Sequence, residues 1–287
     1  MKFAFAGIDF LSGVFDGLVA AGWTPVRLFT RPCDGVYDFN ELVVARARSH
    51  RLPIQLSRLL PDDVEDLARR HGPDTVLVVS GYPWLVRGWT GRLRRALNVH
   101  PSPLPTGRGP YPLFRAVLDR YETWGVTAHV LAEEDFDTGA ILAQELFGLS
   151  PEESHETLLA KCQMASARLA ARVAADLPGL WRAASPQGDG SYWNRTSDAD
   201  RTLDFREPVD SILRRVRAFG AIETIARIGE ARVFVAAAAG WTEPHAHAPG
   251  TVVHRHRRQI VIAARDGYVQ LTRWSGIALG DAASTGR

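Results

Sequence analysis

Cysteine and long apolar segments are scarce in this 287-residue sequence. Its two cysteines, Cys33 and Cys162, cannot form a disulfide framework or a four-ligand metal site. No apolar run approaches the roughly 20 residues that a helix needs to cross a bilayer. The N-terminal MKFAFAG ends without a cleavage-like site and predicts a first strand, not a signal peptide. We therefore expect a cytoplasmic protein without a metal ion or a membrane partner.

An excess of one charge is also lacking, because 34 lysines and arginines balance 32 acidic residues. The only dense basic cluster, HRHRRQ at 254–259, is typical of a solvated hairpin edge, whereas nucleic-acid-binding proteins usually carry a concentrated basic stripe. The first turn, AGIDF, lacks the spaced glycines of a dinucleotide-binding loop. These features disfavour a nucleic-acid partner and a nicotinamide cofactor.

The first 150 residues alternate short apolar runs with amphipathic helical patterns. Unbroken apolar strands such as Thr75–Ser80, alternating with helices such as Pro61–Arg70, predict an α/β fold. We expect a Rossmann-like, mostly parallel sheet with helices on both faces. The segment SPEESHETLLAKC predicts a long helix with Ser150 at its N-cap and Glu153 completing a capping box.

The remainder of the chain has a different pattern. Residues 185–205 are polar and turn-rich, which predicts a linker. The helix Val209–Phe219 and the short strands that follow it predict a small C-terminal β-barrel-like domain. The predicted division is a catalytic domain at 1–184, a linker at 185–205 and an OB-like β domain at 206–287.

The stretch ALNVHPSPLPTGRGP places Asn98 and His100 two residues apart at the end of a predicted strand. Side chains two apart share a face of a strand, and ligands of parallel sheets bind at the carboxyl ends of strands. An amide can hydrogen-bond a developing oxyanion, and a neutral imidazole can transfer a proton near pH 7. The pattern therefore indicates a catalytic pair beside a rigid loop. A core histidine bonded to backbone is the alternative.

A carboxylate that could complete such a site occurs in EDFDTGAIL, which contains Asp135 and Asp137. An Asp-initiated turn is the other interpretation of this segment, because aspartate side chains commonly bond their own backbone in turns.

Together these segments resemble the 10-formyltetrahydrofolate-dependent formyltransferases. The shared pattern is Asn-x-His-x-Ser-x-Leu-Pro-x-x-Arg-Gly from Asn98 to Gly109, followed by WGVTAH (124–129) and DTGAIL (137–142). The resemblance is strong over residues 1–185 and weaker beyond them. It implies that 10-formyltetrahydrofolate is the co-substrate and that Asn98, His100 and Asp137 catalyse transfer of its formyl group to an amine.

The resemblance also implies a folate pocket between GYPWLV (81–86), Ser102–Pro105 and the segment before Asp137. The expected folate contacts are Tyr82, Trp84, Leu85, Val86, Ser102, Pro103, Leu104, Pro105 and Asp135. Candidate acceptor contacts are Asp9, Arg108 and Tyr111, for which turn or solvent positions are the alternative.

The sequence favours a small-molecule amine as acceptor, such as an amino-sugar nucleotide or a hydroxylated ornithine. The tRNA enzymes of this family carry a long basic loop after the second strand, whereas TRPCDGVYDFNELV is short and has Arg31 as its one cation. Methionyl-tRNA is the alternative acceptor, favoured by the C-terminal β domain. Hydrolysis of formylfolate and folate binding without turnover are further alternatives.

Overall fold

The computed structural model describes residues 1–35, 38–257 and 259–276, which divide into two compact units. The first unit comprises 1–112, 123–149 and 159–194. The second comprises 113–122, 150–158 and the described part of 195–287. The predicted linker is thus divided, because residues 185–194 belong to the first unit and the residues after them to the second.

Strands and helices alternate through the first part of the chain, as the sequence pattern predicts. The strands are β1 (Lys2–Gly7), β2 (Thr24–Phe29), β3 (Ile54–Gln55), β4 (Val76–Ser80), β5 (Ala96–His100), β6 (Thr123–Val130), β7 (Ile141–Gly148), β8 (Thr224–Ile228), β9 (Ala231–Thr242), β10 (Val252–His256), β11 (Gln259–Ala263) and β12 (Gly267–Gly276). The α-helices are α1 (Gly13–Ala20), α2 (Glu41–Ser49), α3 (Pro61–His71), α4 (Leu113–Leu118), α5 (His155–Ala175), α6 (Leu177–Arg182), α7 (Asp198–Arg201) and α8 (Val209–Phe219).

The first unit is built on a seven-stranded sheet in the order β3-β2-β1-β4-β5-β6-β7. Strands β1 to β5 pair in parallel, while β6 runs antiparallel to both β5 and β7. The mostly parallel sheet is therefore confirmed. Its central strand β4 is buried at every position, which explains why Val76–Ser80 reads as an unbroken apolar run. Each such buried aliphatic side chain contributes roughly 2 kcal/mol, so the sheet is a rigid base for the loops at its carboxyl edge.

The long helix α5 begins at His155, so the predicted N-cap at Ser150 is wrong. Ser150 and Glu153 form a turn before the helix, in which the Ser150 N–H donates to Glu153 Oε2 at 3.0 Å. Ser154 and Thr157 make the reciprocal bonds instead: the Ser154 N–H donates to Thr157 Oγ1 and the Thr157 N–H to Ser154 Oγ. The bonds at the start of the helix thus lie four residues after the predicted cap.

The second unit contains a five-stranded antiparallel sheet in the order β10-β11-β12-β9-β8. Buried apolar side chains of helix α8, including Ile212 and Val216, belong to one core cluster with Val235 and Leu271 of the sheet. The predicted C-terminal β domain with an antiparallel sheet is confirmed. His254–Arg257 are exposed on the edge strand and the turn after it, while Arg258 of the basic cluster lies outside the described residues.

None of the helices in the described part of the chain is both long and apolar enough to span a membrane.

Candidate active site

The candidate site lies where β5 ends beside the antiparallel strand β6. In this pairing Asn98 lies opposite His129, and His100 lies opposite Thr127. Side chains directly opposite each other in an antiparallel pair project from the same face. The antiparallel register therefore adds a second imidazole, that of His129, to the predicted pair.

The Asp137 carboxylate joins these groups. Its Oδ1 lies 3.1 Å from Asn98 Nδ2 and 3.3 Å from His100 Nδ1. Its Oδ2 accepts a hydrogen bond of 2.9 Å from the Gly109 N–H. The structure thus brings Asn98, His100 and Asp137 together, and one carboxylate contacts the amide, the imidazole and the glycine-rich loop.

The turn that presents Asp137 requires the sequence DTG. Asp137 has φ +60°, in the left-handed region where aspartate is among the better tolerated residues. A Cβ at Gly139 would lie 1.8 Å from the carbonyl oxygen of Val130, so only glycine fits against the end of β6. The segment forms the turn that was the alternative interpretation, and the same turn places the Asp137 carboxylate beside Asn98 and His100.

His129 fixes the orientation of the Asn98 amide. His129 Nδ1 lies 2.8 Å from the Val130 carbonyl oxygen, which can only accept, so Nδ1 carries the proton of a neutral ring. Nε2 is then an acceptor, 3.1 Å from Asn98 Nδ2. Both N–H groups of the amide are directed at acceptors, one at His129 and one at Asp137.

Asp137 is ionised in this environment. Its burial opposes ionisation, but the charge of the neighbouring His100 and the Gly109 N–H help to lower the pKa of Asp137 to about 2. Burial lowers the pKa of His100 below its ordinary 6.5, against the opposing effects of Asp137 and the Gly107 carbonyl. The site therefore contains a charged acid beside a neutral imidazole at pH 7.

The tautomer of His100 follows from its second contact. Nε2 lies 2.8 Å from the Gly107 carbonyl oxygen and must donate to it. In the neutral ring the unprotonated nitrogen is then Nδ1, on the side of the Asp137 carboxylate. His100 can take up a proton at Nδ1, and the carboxylate at 3.3 Å would stabilise the resulting imidazolium.

The proline-rich loop after β5 is held by buried polar side chains. Thr127 Oγ1 donates to the Ser102 carbonyl at 2.7 Å, and the Gln144 amide donates to the Leu104 carbonyl at 2.7 Å. The Ser102 hydroxyl donates to the Thr106 carbonyl. These bonds give the loop the fixed shape that its prolines and glycines predicted.

Four of the expected folate contacts have side chains that are enclosed by the protein, and their role toward folate stays a prediction. Ser102 and Leu104 are 0% and 2% exposed, and Val86 is 1% exposed. Tyr82 lies in the apolar core, where its hydroxyl accepts the Leu59 N–H at 2.7 Å and burial raises its pKa to about 12.

The other expected folate contacts keep accessible surface. Trp84 is half-buried and packs edge-on against Tyr82, with ring centroids 5.2 Å apart. Partly or fully exposed side chains are also found at Leu85, Pro103, Pro105 and Asp135. Their contact with folate stays a prediction.

All three candidate acceptor contacts have partners within the protein, and their contact with an acceptor stays a prediction. The Asp9 carboxylate accepts the N–H groups of Leu42 and Val43 and so caps α2 from another segment. Arg108 donates to Gln187 and to the Gly188 carbonyl. Tyr111 is 37% exposed, and its hydroxyl donates to Asp38 Oδ1 at 3.4 Å.

Sequence reasoning missed three residues that organise the site: His129, Glu133 and Gln187. His129 belongs to the WGVTAH motif, but its contact with Asn98 depends on the register of β6 against β5. Glu133 accepts the N–H groups of Gly88 and Thr90 and thereby joins two predicted walls of the folate pocket. Gln187 lay in the presumed linker, where no local pattern pointed to the site.

Within the three described ranges, no three His, Cys, Asp or Glu side chains are grouped so as to hold a metal ion.

Comparisons with known proteins identify the family of the chain. A family model described as formyl transferase matches residues 37–173, and one described as formyl transferase, C-terminal domain, matches 195–276. The chain is 32% identical to a methionyl-tRNA formyltransferase of Halorhodospira halophila, over 95% of this chain and 90% of that protein. A methionyl-tRNA formyltransferase of Thiobacillus denitrificans is 28% identical over 94% of this chain and 90% of its own.

Solved structures show the same fold at lower identity. An N-formyltransferase from Helicobacter canadensis, in complex with folinic acid and dTDP-3-aminofucose, superposes with a TM-score of 0.65 at 14% identity and covers 96% of this chain and 99% of its own. HypX from Aquifex aeolicus, in complex with tetrahydrofolic acid, gives 0.63 at 19% identity and covers 96% of this chain and 44% of its own.

Proposed function

The chain belongs to the formyl transferase family, and on that premise we propose that it transfers the formyl group of 10-formyltetrahydrofolate to the amino group of methionyl-tRNA. The observation that carries the proposal is the 32% identity to a methionyl-tRNA formyltransferase over 95% of this chain. The matched length includes the C-terminal domain. The comparisons thereby favour the acceptor that the sequence pattern alone had ranked second.

The reaction exchanges one carbon–nitrogen bond for another. The acceptor nitrogen bonds to the formyl carbon and loses a proton, the bond from that carbon to N10 breaks, and N10 gains a proton. Negative charge develops on the formyl oxygen as the nitrogen attacks. A donor directed at that oxygen and a group that takes up the amine proton are therefore required.

Asn98 is the candidate donor. His129 holds one of its N–H groups, while the other lies 3.1 Å from Asp137 Oδ1 at the half-buried end of the side chain. If the formyl oxygen replaced Asp137 Oδ1 as the acceptor of this second N–H, an oriented donor would face the developing negative charge. His129 keeps the amide plane fixed during the exchange.

His100 and Asp137 are the candidate proton acceptors. Neutral His100 has an unprotonated Nδ1. Once this nitrogen is protonated, the ionised Asp137 carboxylate at 3.3 Å would stabilise the imidazolium. The amine proton passes to His100 directly or through a bound water. Trp84 and Leu85 offer half-buried apolar surface that suits the flat ring of the folate.

A small-molecule amine is the second candidate acceptor, favoured by the segment between β2 and α2. Arg31 is paired with Asp38 in this segment, and Asp34 adds a further negative charge. A tRNA acceptor stem needs free cations to neutralise its phosphates. Within residues 30–35 and 38–40, the described part of this segment, the one cation is Arg31, which is paired with Asp38.

The two acceptors are distinguished by product analysis. Purified protein is incubated with 10-formyltetrahydrofolate and either charged initiator tRNA or a panel of amino-sugar nucleotides and hydroxylated diamines. We expect N-formylmethionyl-tRNA as the product by mass spectrometry. Formylation of a small amine, with charged tRNA left unmodified, would instead establish the second candidate.

A further inference from the structure

Gln187 contacts the backbone on both sides of the Asp137 turn. Its side-chain amide donates to the Asp137 carbonyl at 2.8 Å and to the Gly139 carbonyl at 2.7 Å. Its amide oxygen accepts from Arg108 Nε at 3.0 Å. Both N–H groups and the oxygen of the Gln187 amide are therefore hydrogen-bonded. Each bond joins Gln187 to a segment that contributes to the candidate site.

Arg108 completes this arrangement from the glycine-rich loop. Its guanidinium also donates to the Gly188 carbonyl at 3.0 Å, and its own N–H and carbonyl bond to Ser191 and Trp193. The next residue, Gly109, supplies the N–H that binds Asp137 Oδ2. We use the term Gln187–Arg108 clamp for these two side chains.

Residues 190–193 lie directly against the same loop. The Ser191 hydroxyl accepts the Gly107 N–H at 2.8 Å, and the Ser191 N–H donates to the Pro105 carbonyl. A Cβ at Gly109 would lie 2.5 Å from the Trp193 carbonyl oxygen, so this close approach depends on glycine. The clamp is thus one part of a continuous contact, and the segment 187–193 is an integral part of the catalytic unit.

We propose that Gln187, held by Arg108, is a positioning residue that fixes the Asp137 carboxylate between Asn98 and His100, an inference that rests on the proposed formyl transfer. Asp137 is held through its own backbone by Gln187 and through Oδ2 by the loop that carries Arg108. Loss of the clamp removes the support on the Asp137 backbone and the side-chain bonds that join Arg108 to Gln187 and Gly188. The left-handed backbone of Asp137 then loses the hydrogen bond from Gln187 to its carbonyl, which is one of its constraints.

Substitution of Gln187 by methionine tests the proposal, because methionine matches its shape but makes none of the three bonds. Displacement of a catalytic group by about 1 Å costs up to about 100-fold in rate. We expect Gln187→Met to lower kcat by roughly 10- to 100-fold, with KM for 10-formyltetrahydrofolate changed less than about two-fold. Unchanged kcat in a folded Gln187→Met protein would overturn the proposal.

Gln163→Met is the matched control, since Gln163 on α5 makes one long contact of 3.4 Å with the Phe10 carbonyl and none with the cluster. It should keep the wild-type kcat. Arg108→Lys is the milder second variant should Gln187→Met not fold. The lysine ammonium lacks the two separate donors with which the Arg108 guanidinium binds Gln187 and Gly188. We therefore expect a several-fold fall in kcat. A wild-type kcat in folded Arg108→Lys protein counts against the clamp.

An NMR titration of the His100 ring tests the clamp without catalysis. Asp137 raises the pKa of His100 in opposition to burial, so a displaced carboxylate should lower that pKa further in Gln187→Met. An unaltered His100 titration in that variant would contradict the clamp. If the wild-type protein formylates no acceptor, the proposed function fails while this titration still decides whether Gln187 positions Asp137.

Discussion

At the scale of single residues, the Asp137 carboxylate determines how the site is organised. It accepts from Asn98 and Gly109 and lies beside His100, so removal of its charge affects three neighbours together. The carboxylate is 9% exposed, which strengthens each of these interactions relative to the same pairs in water.

Asp137 should make a measurable contribution to stability at acidic pH. Its pKa is lowered from 3.8 to about 2, which corresponds to roughly 2 kcal/mol. Because the folded-state value lies below the unfolded one, this stabilisation is present above pH 3.8 and is lost as pH falls through about 2. Asp137→Asn lacks this dependence.

The comparison is made by urea unfolding of wild type and Asp137→Asn at pH 5 and pH 3. We expect the difference in unfolding free energy between the two proteins to shrink by roughly 1 kcal/mol at pH 3. A difference that stays constant between these pH values would mean that Asp137 has an ordinary pKa.

His100 should control the acidic limb of the activity. Because burial lowers its pKa below 6.5 and the neutral ring takes up the amine proton, kcat should stay high at pH 6.5 and decline only at lower pH. The measurement is a profile of kcat from pH 5 to 9 at saturating substrates. A midpoint above 6.5 would show that the effect of Asp137 exceeds that of burial.

At the scale of elements, the two loops expected to contact folate are joined by one side chain. Both Glu133 oxygens accept backbone N–H groups of the loop after β4, and Arg87 donates to the Glu133 carbonyl. The loop that contains Trp84 is thereby fixed relative to the Asp137 turn.

Glu133→Ala should weaken folate binding more than it slows chemistry. The loop at 88–90 loses both acceptors, so we expect KM for 10-formyltetrahydrofolate to rise several-fold while kcat stays within about two-fold. Glu134→Ala, at the exposed neighbouring position, serves as the matched control. A several-fold fall of kcat in Glu133→Ala, with KM for 10-formyltetrahydrofolate unchanged, would instead mean that Glu133 acts in the chemical step.

The strands of the first unit could be predicted because burial on both faces produces unbroken apolar runs such as that of β4. The direction of β6 and its register against β5 could not, since apolar alternation is the same in parallel and antiparallel strands. His129 was missed for that reason. Gln187 was missed because its three partners lie about 50 to 80 residues away in the sequence.

At the scale of the whole molecule, the acceptor determines how the reaction responds to salt. A tRNA acceptor releases counterions for each phosphate that the protein neutralises, whereas a small amine releases few. For charged tRNA, kcat/KM should fall by roughly three-fold per neutralised phosphate between 50 and 200 mM NaCl.

The salt series is run with each acceptor that is formylated, with kcat/KM for 10-formyltetrahydrofolate as the internal control. A flat response with charged tRNA would mean that its phosphates are not neutralised. The small-molecule candidate would then be favoured, in agreement with the paired Arg31 in the segment after β2.

We propose that Asn98, His100 and Asp137 form one centre for formyl transfer. Its most direct test is the acceptor-dependent release of tetrahydrofolate from 10-formyltetrahydrofolate, measured for wild type and for folded Asp137→Asn. We expect the wild-type protein to release tetrahydrofolate only when the acceptor is present, and the variant to do so at least about 100-fold more slowly. Equal rates in the two proteins would contradict it.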